Sequence, residues 1–191
     1  MSILVVDDNK VNLFVIETIL KQAGYKNIKM ADSAKTMFNL LEEDRLKNGN
    51  STFNLILLDI MMPEMDGIAA CKQLQNCPEY KDIPVIFVTA LGDTHKLAEA
   101  LDAGGTDYIM KPINKVELLA RMRVALRLKE EKDWHKEQEE KISYELNLAS
   151  MVQRSILSDP IANEDISIKT SYKPSFNLAG DMYYWHQIDE H

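Results

Sequence analysis

Leu55-Ile-Leu-Leu-Asp59-Ile-Met-Met-Pro63-Glu-Met-Asp66-Gly67 is the stretch on which the reading of this chain turns. Four apolar residues run straight into one carboxylate, Asp59, and then into a loop containing proline. A short, unbroken apolar run suits a strand buried on both faces, as in a parallel sheet covered by helices. Such a strand delivers its last residue to the carboxyl edge of the sheet, where open α/β folds place their ligands. Asp59 is therefore expected at a mouth of the fold. Taken alone, an aspartate there reads equally well as a helix cap or a solvated turn residue, so the company it keeps must decide.

Working outward, Ile3 to Val6 reads as a first buried strand that ends at Asp7 and Asp8. From Asn9 onward Val11, Phe14, Val15, Thr18 and Ile19 recur at helical spacing, and Gly24 supplies a C-terminal stop. A short strand follows around residues 28–31. The next helix starts at Ser33, with Met37, Leu40 and Leu41 facing inward. Beyond Asp59, Ile68, Cys71 and Leu74 mark a helix stopped near Pro78, and residues 84–89 form a fourth apolar strand ending at Thr89. A short helix through Leu97 and Leu101 ends at Gly104-Gly105. Tyr108-Ile-Met-Lys111-Pro112 gives a fifth strand with its exit loop. Strands alternating with helices at these intervals call for a right-handed, doubly wound α/β fold with a five-stranded parallel sheet.

Leu118, Leu119, Met122 and Leu126 pack a fifth helix on that sheet, and no stop signal follows them. Residues 129–141 are almost entirely charged, with mixed signs at offsets that support a solvated helix. Ile142, Leu146, Ala149 and Ile156 restore an apolar seam at roughly heptad spacing, but its back-projection lands on Glu139, His135 and Lys132. One long connecting helix is expected, self-associating at its ends or serving as a monomeric linker. Ile166 to Tyr172 alternates like a half-exposed strand. Asn177 to Trp185 reads as a turn entering another strand, without partners or a core of its own.

Composition excludes several classes. A net charge of -8 over 191 residues argues against a nucleic-acid face, because phosphate backbones need concentrated Lys and Arg. The apolar run after Met1 is too short for a signal peptide, and nothing approaches a membrane span. Cys71 and Cys77 lack metal-ligand spacing and read as reduced thiols. The chain is expected to be cytoplasmic.

Asp7, Asp8, Asp59, Thr89 and Lys111 all fall at the carboxyl ends of strands. In a flavodoxin-like sheet ordered 2-1-3-4-5 the first, third, fourth and fifth strands are neighbours. Three carboxylates, one hydroxyl and one ammonium then meet on one edge. The carboxylates repel unless a cation neutralises them, and Mg²⁺ takes oxygen ligands while keeping several waters. A carboxylate can also attack phosphorus to form an acyl phosphate. The metal and Lys111 would balance charge on the phosphoryl group, with Thr89 bonding the attached phosphate. Hydrolases with an aspartate nucleophile usually place a second acid two residues on, and here that residue is Met61.

Over residues 2–127 the chain resembles the receiver domains of two-component response regulators. The resemblance is carried by Val5-Val6-Asp7-Asp8-Asn9, Leu58-Asp59-Ile-Met-Met-Pro63-Glu-Met-Asp66-Gly67, Val88-Thr89-Ala90 and Tyr108-Ile-Met-Lys111-Pro112. It implies that Asp59 takes a phosphoryl group from a sensor histidine kinase or phosphotransfer protein. It further implies Mg²⁺ held by Asp8, Asp59 and the Met61 backbone carbonyl, with Asp7 acting mainly through water. Thr89 and Tyr108 match the family's switch pair, and a cis peptide is implied before Pro112. Members that lose phosphate quickly tend to carry polar groups two residues beyond the acceptor and the threonine. Met61 and Leu91 stand there instead, implying a long-lived aspartyl phosphate.

Leu148 to Leu157, Tyr172-Lys-Pro174 and Gly180-Asp181-Met-Tyr-Tyr-Trp185 are similar to the entry of bacterial PPM-type serine/threonine phosphatases that act on anti-sigma-factor antagonists. That match implies Asp181 as a ligand of catalytic Mn²⁺ or Mg²⁺, although Ala179 and Tyr184 replace a glycine and an aspartate. The remaining ligand segments of such a domain are not in residues 1–191, so the chain as given is not expected to act as a phosphatase. The division implied is a receiver at 1–127, a linker helix at 128–158 and an incomplete phosphatase-like output domain at 159–191. Three readings follow: a regulator whose phosphorylation switches a phosphatase, an adaptor with a non-catalytic phosphatase fold, or a stand-alone receiver that forms a homodimer.

Overall fold

The computed structural model describes residues 1–90, 92, 94–162, 166–174 and 176–186. The chain divides into two compact units, Met1–Lys132 and Asp133–His191. The first holds β1 (Ser2–Val6), α1 (Lys10–Gln22), β2 (Asn27–Ala31), α2 (Ala34–Asn48), β3 (Phe53–Leu58), α3 (Gly67–Gln75), β4 (Val85–Thr89), α4 (Thr94–Asp102) and β5 (Asp107–Met110). The strands form one parallel sheet in the order β2-β1-β3-β4-β5. This is the flavodoxin-like arrangement expected from the sequence.

The alternation of side chains along each strand sorts the core into two layers. Leu4, Val6, Ile56, Leu58, Val85 and Phe87 point toward α2, α3 and α4, where they meet Met37, Leu41, Cys71 and Leu74. Ile3, Val5, Leu55, Leu57, Ile86 and Val88 point the other way, toward Ile16, Leu20, Leu118 and Met122. Both faces of the sheet are thus covered, which is why β3 and β4 read as continuous apolar runs. Polar residues at the helix starts satisfy the free amides there. Asn9 accepts from Val11 N, Ser33 from Thr36 N, and Asp66 from Ala69 N. Gly24 takes φ +92° just past α1, a turn conformation open to glycine.

Helix phase departs from the sequence expectation in α1. Val11 and Phe14 are exposed, and α1 buries Ile16 and Leu20 instead. Leu13 to Ile16 are four apolar residues in a row, so periodicity alone does not fix the inward face. Helix α4 buries Leu97 and Ala100, and Leu101 is 40% exposed.

Helix α5 spans Lys115–Ser155 without interruption, so the boundary between the units falls inside it. Leu118, Met122, Ala125 and Leu126 bury its first part in the sheet unit. Lys132, at the end of that unit, pairs with Asp82 at 2.6 Å. In the second unit β6 (Ile161–Ala162) pairs antiparallel with β7 (Ser167–Ile168). The expected strand over 166–172 is therefore only two residues long, and it does have a partner. Asn177 to Trp185 enters no strand among the described residues. It is held instead by side chains: Gln153 bonds both backbone groups of Ala179, and Ser158 both groups of Trp185. Tyr183 stacks on Trp185 with ring centroids 5.3 Å apart. Ile156, expected in the helical seam, lies one residue beyond the end of α5.

Candidate functional site

The sheet ladder brings the site together before any side chain acts. Asp59 N donates to Val6 O at 2.9 Å, Asp7 N to Ala31 O at 3.2 Å and Lys111 N to Thr89 O at 2.8 Å. With the pairing of β3 to β4, these bonds align the ends of β1, β3, β4 and β5 at the carboxyl edge. Asp7, Asp8, Asp59, Thr89 and Lys111 all stand where the sequence placed them.

Lys111 is the link between two carboxylates. Its Nζ donates to Asp7 Oδ2 and to Asp59 Oδ2, at 2.7 Å each. Asp7 is 1% exposed and Asp59 4%, whereas Asp8 faces solvent. Carboxylate oxygens of all three lie within 4.8 Å of one another. Burial pushes the Asp59 carboxyl above its ordinary value, and the Lys111 bonds only partly offset this. Burial pulls the Lys111 ammonium down, but its bonds to Asp59 and Asp7 outweigh that, so its pKa is raised. The pocket keeps its lysine charged and leaves the Asp59 carboxylate short of stabilising partners.

Asp59 Oδ1 accepts one further bond, from Met61 N at 3.2 Å. The loop that follows is drawn close beneath it. Gly67 N donates to Ile60 O at 2.9 Å, and a Cβ on Gly67 would overlap the Asp59 carbonyl oxygen. Glycine is therefore a steric requirement of this turn. Met61 is 56% exposed at the rim of a cleft shared with Asp8, Asp66, Lys72 and Lys96.

Thr89 is fully buried at the end of β4, and Tyr108 is half-buried in β5, opposite Phe87 in the strand register. The Lys111–Pro112 peptide is cis. Leu91 lies outside the described residues. Asp181 is exposed in the second unit, beside Lys173 and Gly180 in a surface pocket.

Asn9, part of the first acidic motif, and Asn12, not singled out from the sequence, complete the surroundings of Asp7. Asn9 N and Asn12 Nδ2 both donate to Asp7 Oδ1, at 2.9 and 3.0 Å. Asn12 lies five residues beyond Asp7, and only its place in the first turn of α1 makes the contact legible.

Three oxygen donors gathered at one edge, one open to solvent, fit a hard divalent cation that retains water. A carboxylate with an ammonium beside it also fits transfer of an anionic group, because the lysine offsets charge on an incoming phosphoryl.

The family model for the response regulator receiver domain matches residues 3–123. The chain is 39% identical over 128 residues to a probable transcriptional regulator, ycf27, of Cyanophora paradoxa, covering 66% of this chain and 48% of that protein. It is 36% identical over 127 residues to the response regulator PleD of Caulobacter vibrioides, covering 66% and 26%. Among solved structures, a CheY-like receiver domain protein from Methanospirillum hungatei matches with a TM-score of 0.60 and 30% identity, over 69% of this chain and 97% of that one. The chain spans about half the length of the curated relatives it first matches.

Proposed function

This chain belongs to the response regulator receiver domain family of two-component systems, and we propose that Asp59 is its phosphoacceptor. Receiver domains take phosphate from histidine kinases or phosphotransfer proteins, so the donor is a phosphoimidazole. An Asp59 carboxylate oxygen attacks the phosphorus; the O–P bond forms as the P–N bond breaks, and the imidazole leaves with the bonding pair. The product is an acyl phosphate on Asp59. Lys111 supplies the positive charge next to the new group, and the hydroxyl of Thr89 is the donor that meets its oxygens.

Receiver domains bind Mg²⁺ at an acidic pocket, which in this chain is the Asp7, Asp8 and Asp59 cluster. In this reading Asp8, Asp59 and the Met61 carbonyl would hold the ion directly, and Asp7 would act through water. Held there, Mg²⁺ would supply positive charge beside the phosphoryl oxygens, adding to that of Lys111. The observation that carries the reading is the Lys111 bridge, a single cation 2.7 Å from both Asp7 and Asp59 within a three-carboxylate cluster.

For output, we propose that Thr89 and Tyr108 respond to the phosphate and that α5 conveys the change to the second unit. Residues 159–191 act in this reading as the N-terminal part of a PPM-type phosphatase domain whose substrate is a phosphorylated anti-sigma-factor antagonist. The paired Gln153–Ala179 bonds favour it, because they join the helix and the Gly180-Asp181 turn on which that resemblance rests. Asp181 would be a metal ligand there, and α5 the contact of a homodimer.

Incubation with acetyl phosphate and Mg²⁺ tests the acceptor. One phosphoryl group per chain is expected by intact mass, mapped to Asp59 and absent from Asp59→Asn. No labelling of the wild type, or undiminished labelling of the variant, would overturn the proposal.

A further inference from the structure

Asp7 is the most enclosed carboxylate of the site, and both of its oxygens are occupied. Oδ2 accepts from Lys111; Oδ1 accepts the backbone N–H of Asn9 and the side-chain amide of Asn12. The backbone donor comes with the start of α1, whatever the residue. The amide is a choice of side chain. Asp59 has less support, with Met61 N on one oxygen and Lys111 on the other. Lys111 is thus shared between a well-bonded carboxylate and a poorly bonded one. How it divides depends on how much of the Asp7 charge other donors already meet.

We propose that Asn12 is a positioning residue for phosphoryl acceptance: its amide saturates Asp7 Oδ1, turns Oδ2 to Lys111 and leaves that lysine available to Asp59. This rests on the reading of Asp59 as the phosphoacceptor. The terminal torsion of a carboxylate is broad and two-fold, so its oxygens exchange roles unless different donors distinguish them. A neutral amide fixes Asp7 without cancelling the negative charge that a divalent cation needs. A lysine at the same place would cancel it. Without the amide, the unmet charge on Asp7 draws Lys111 from Asp59, and cation binding must first order Asp7.

Asn12→Leu removes the donor at similar size, and Asn12→Gln keeps an amide on a longer arm. Magnesium binding by calorimetry on the unphosphorylated protein, labelling by acetyl phosphate and the metal-free thermal midpoint are measured for each. The leucine variant is expected to bind Mg²⁺ and to label about tenfold more weakly, the effect of losing one hydrogen bond to a charged group. Its midpoint is expected to fall by no more than the loss of that single bond allows, and glutamine is expected to recover most of the binding and labelling. Wild-type binding and labelling in Asn12→Leu would overturn the inference. So would equal losses in both variants that follow their thermal midpoints, since that marks Asn12 as merely structural. If wild type fails to label while Asn12→Leu still weakens Mg²⁺ binding, the reading of Asp59 falls and the role of Asn12 toward Asp7 stands.

Discussion

Replacing Lys111 by methionine keeps most of the side-chain stem and removes the ammonium between two enclosed carboxylates. Two bonds of 2.7 Å disappear, each charge-assisted and worth about 1.5–3 kcal/mol. What remains is repulsion between carboxylates whose oxygens lie within 4.8 Å, about 3 kcal/mol at an effective dielectric constant near 20. These terms overlap, so the net loss without metal is expected at about 3–5 kcal/mol, as for other enclosed ion pairs that lose one partner. Protonation sets the ceiling. Asp59 can escape by taking up a proton, which costs at most about 5 kcal/mol at pH 7.5 reckoned from the ordinary value of 3.8, since burial already raises its pKa. At pH 5.5 the same escape costs only about 2 kcal/mol, so the penalty of the variant should shrink to about that.

Urea denaturation of chelated protein, followed by far-ultraviolet circular dichroism at both pH values, measures this. The Lys111→Met/Asp59→Asn double variant should recover about 2 kcal/mol or more, because one of the two unpaired charges is gone. A Lys111→Met protein as stable as wild type at pH 7.5 would refute the electrostatic account. So would a loss that is identical at both pH values.

The pH dependence of metal-free wild type carries a separate sign. Burial raises the Asp59 pKa, so its stabilising contribution is full below the unfolded value of 3.8 and is lost as pH rises through the folded value; thermal midpoints should show this component, and Asp59→Asn should abolish it. The raised Lys111 pKa acts at the alkaline end, where its contribution is lost as pH rises through the folded value above 10.5. Gly67→Ala forces a Cβ onto the Asp59 carbonyl oxygen and should cost about 1–3 kcal/mol while slowing phosphorylation; an unchanged melting curve would contradict the close packing. Met61→Asn with Leu91→Glu should shorten the lifetime of the aspartyl phosphate in Mg²⁺, and equal decay in both proteins would count against the proposed long-lived state. Gln153→Leu removes bonds of 2.6 and 3.1 Å to Ala179 and should loosen residues 177–185 by about 1–3 kcal/mol, seen as faster protease cleavage there.

The sheet and the acidic edge were legible because they rest on local rules that the fold does not override. A strand covered on both faces must be apolar at every position, and Leu55 to Leu58 and Val85 to Val88 obey. Once those strands are placed, the residue after each one stands at the carboxyl edge, and Asp7, Asp59 and Lys111 follow without further assumption. The phase of α1 was not legible, because Leu13 to Ile16 offer apolar residues on both sides of the helix. Only packing decides that Ile16 and Leu20 turn inward and leave Phe14 outside. Asn12 was hidden for the same reason, since its partner is set by the phase of the helix that carries it.

The C-terminal segment failed for a different reason. Met182-Tyr183-Tyr184-Trp185 has the aromatic composition of a strand, but β-propensity measures fit to a neighbouring strand more than any preference of the backbone. Here β6 pairs with β7, and the aromatic residues find other uses. Tyr183 stacks on Trp185 and meets Tyr172 edge-on, while the Trp185 backbone is satisfied by Ser158. The same physics, satisfied backbone groups and rings packed on one another, is met by side chains in place of a ladder. A sequence rule that looks for period-two alternation has no term for such a solution, because Gln153 and Ser158 lie more than twenty residues before the groups they hold.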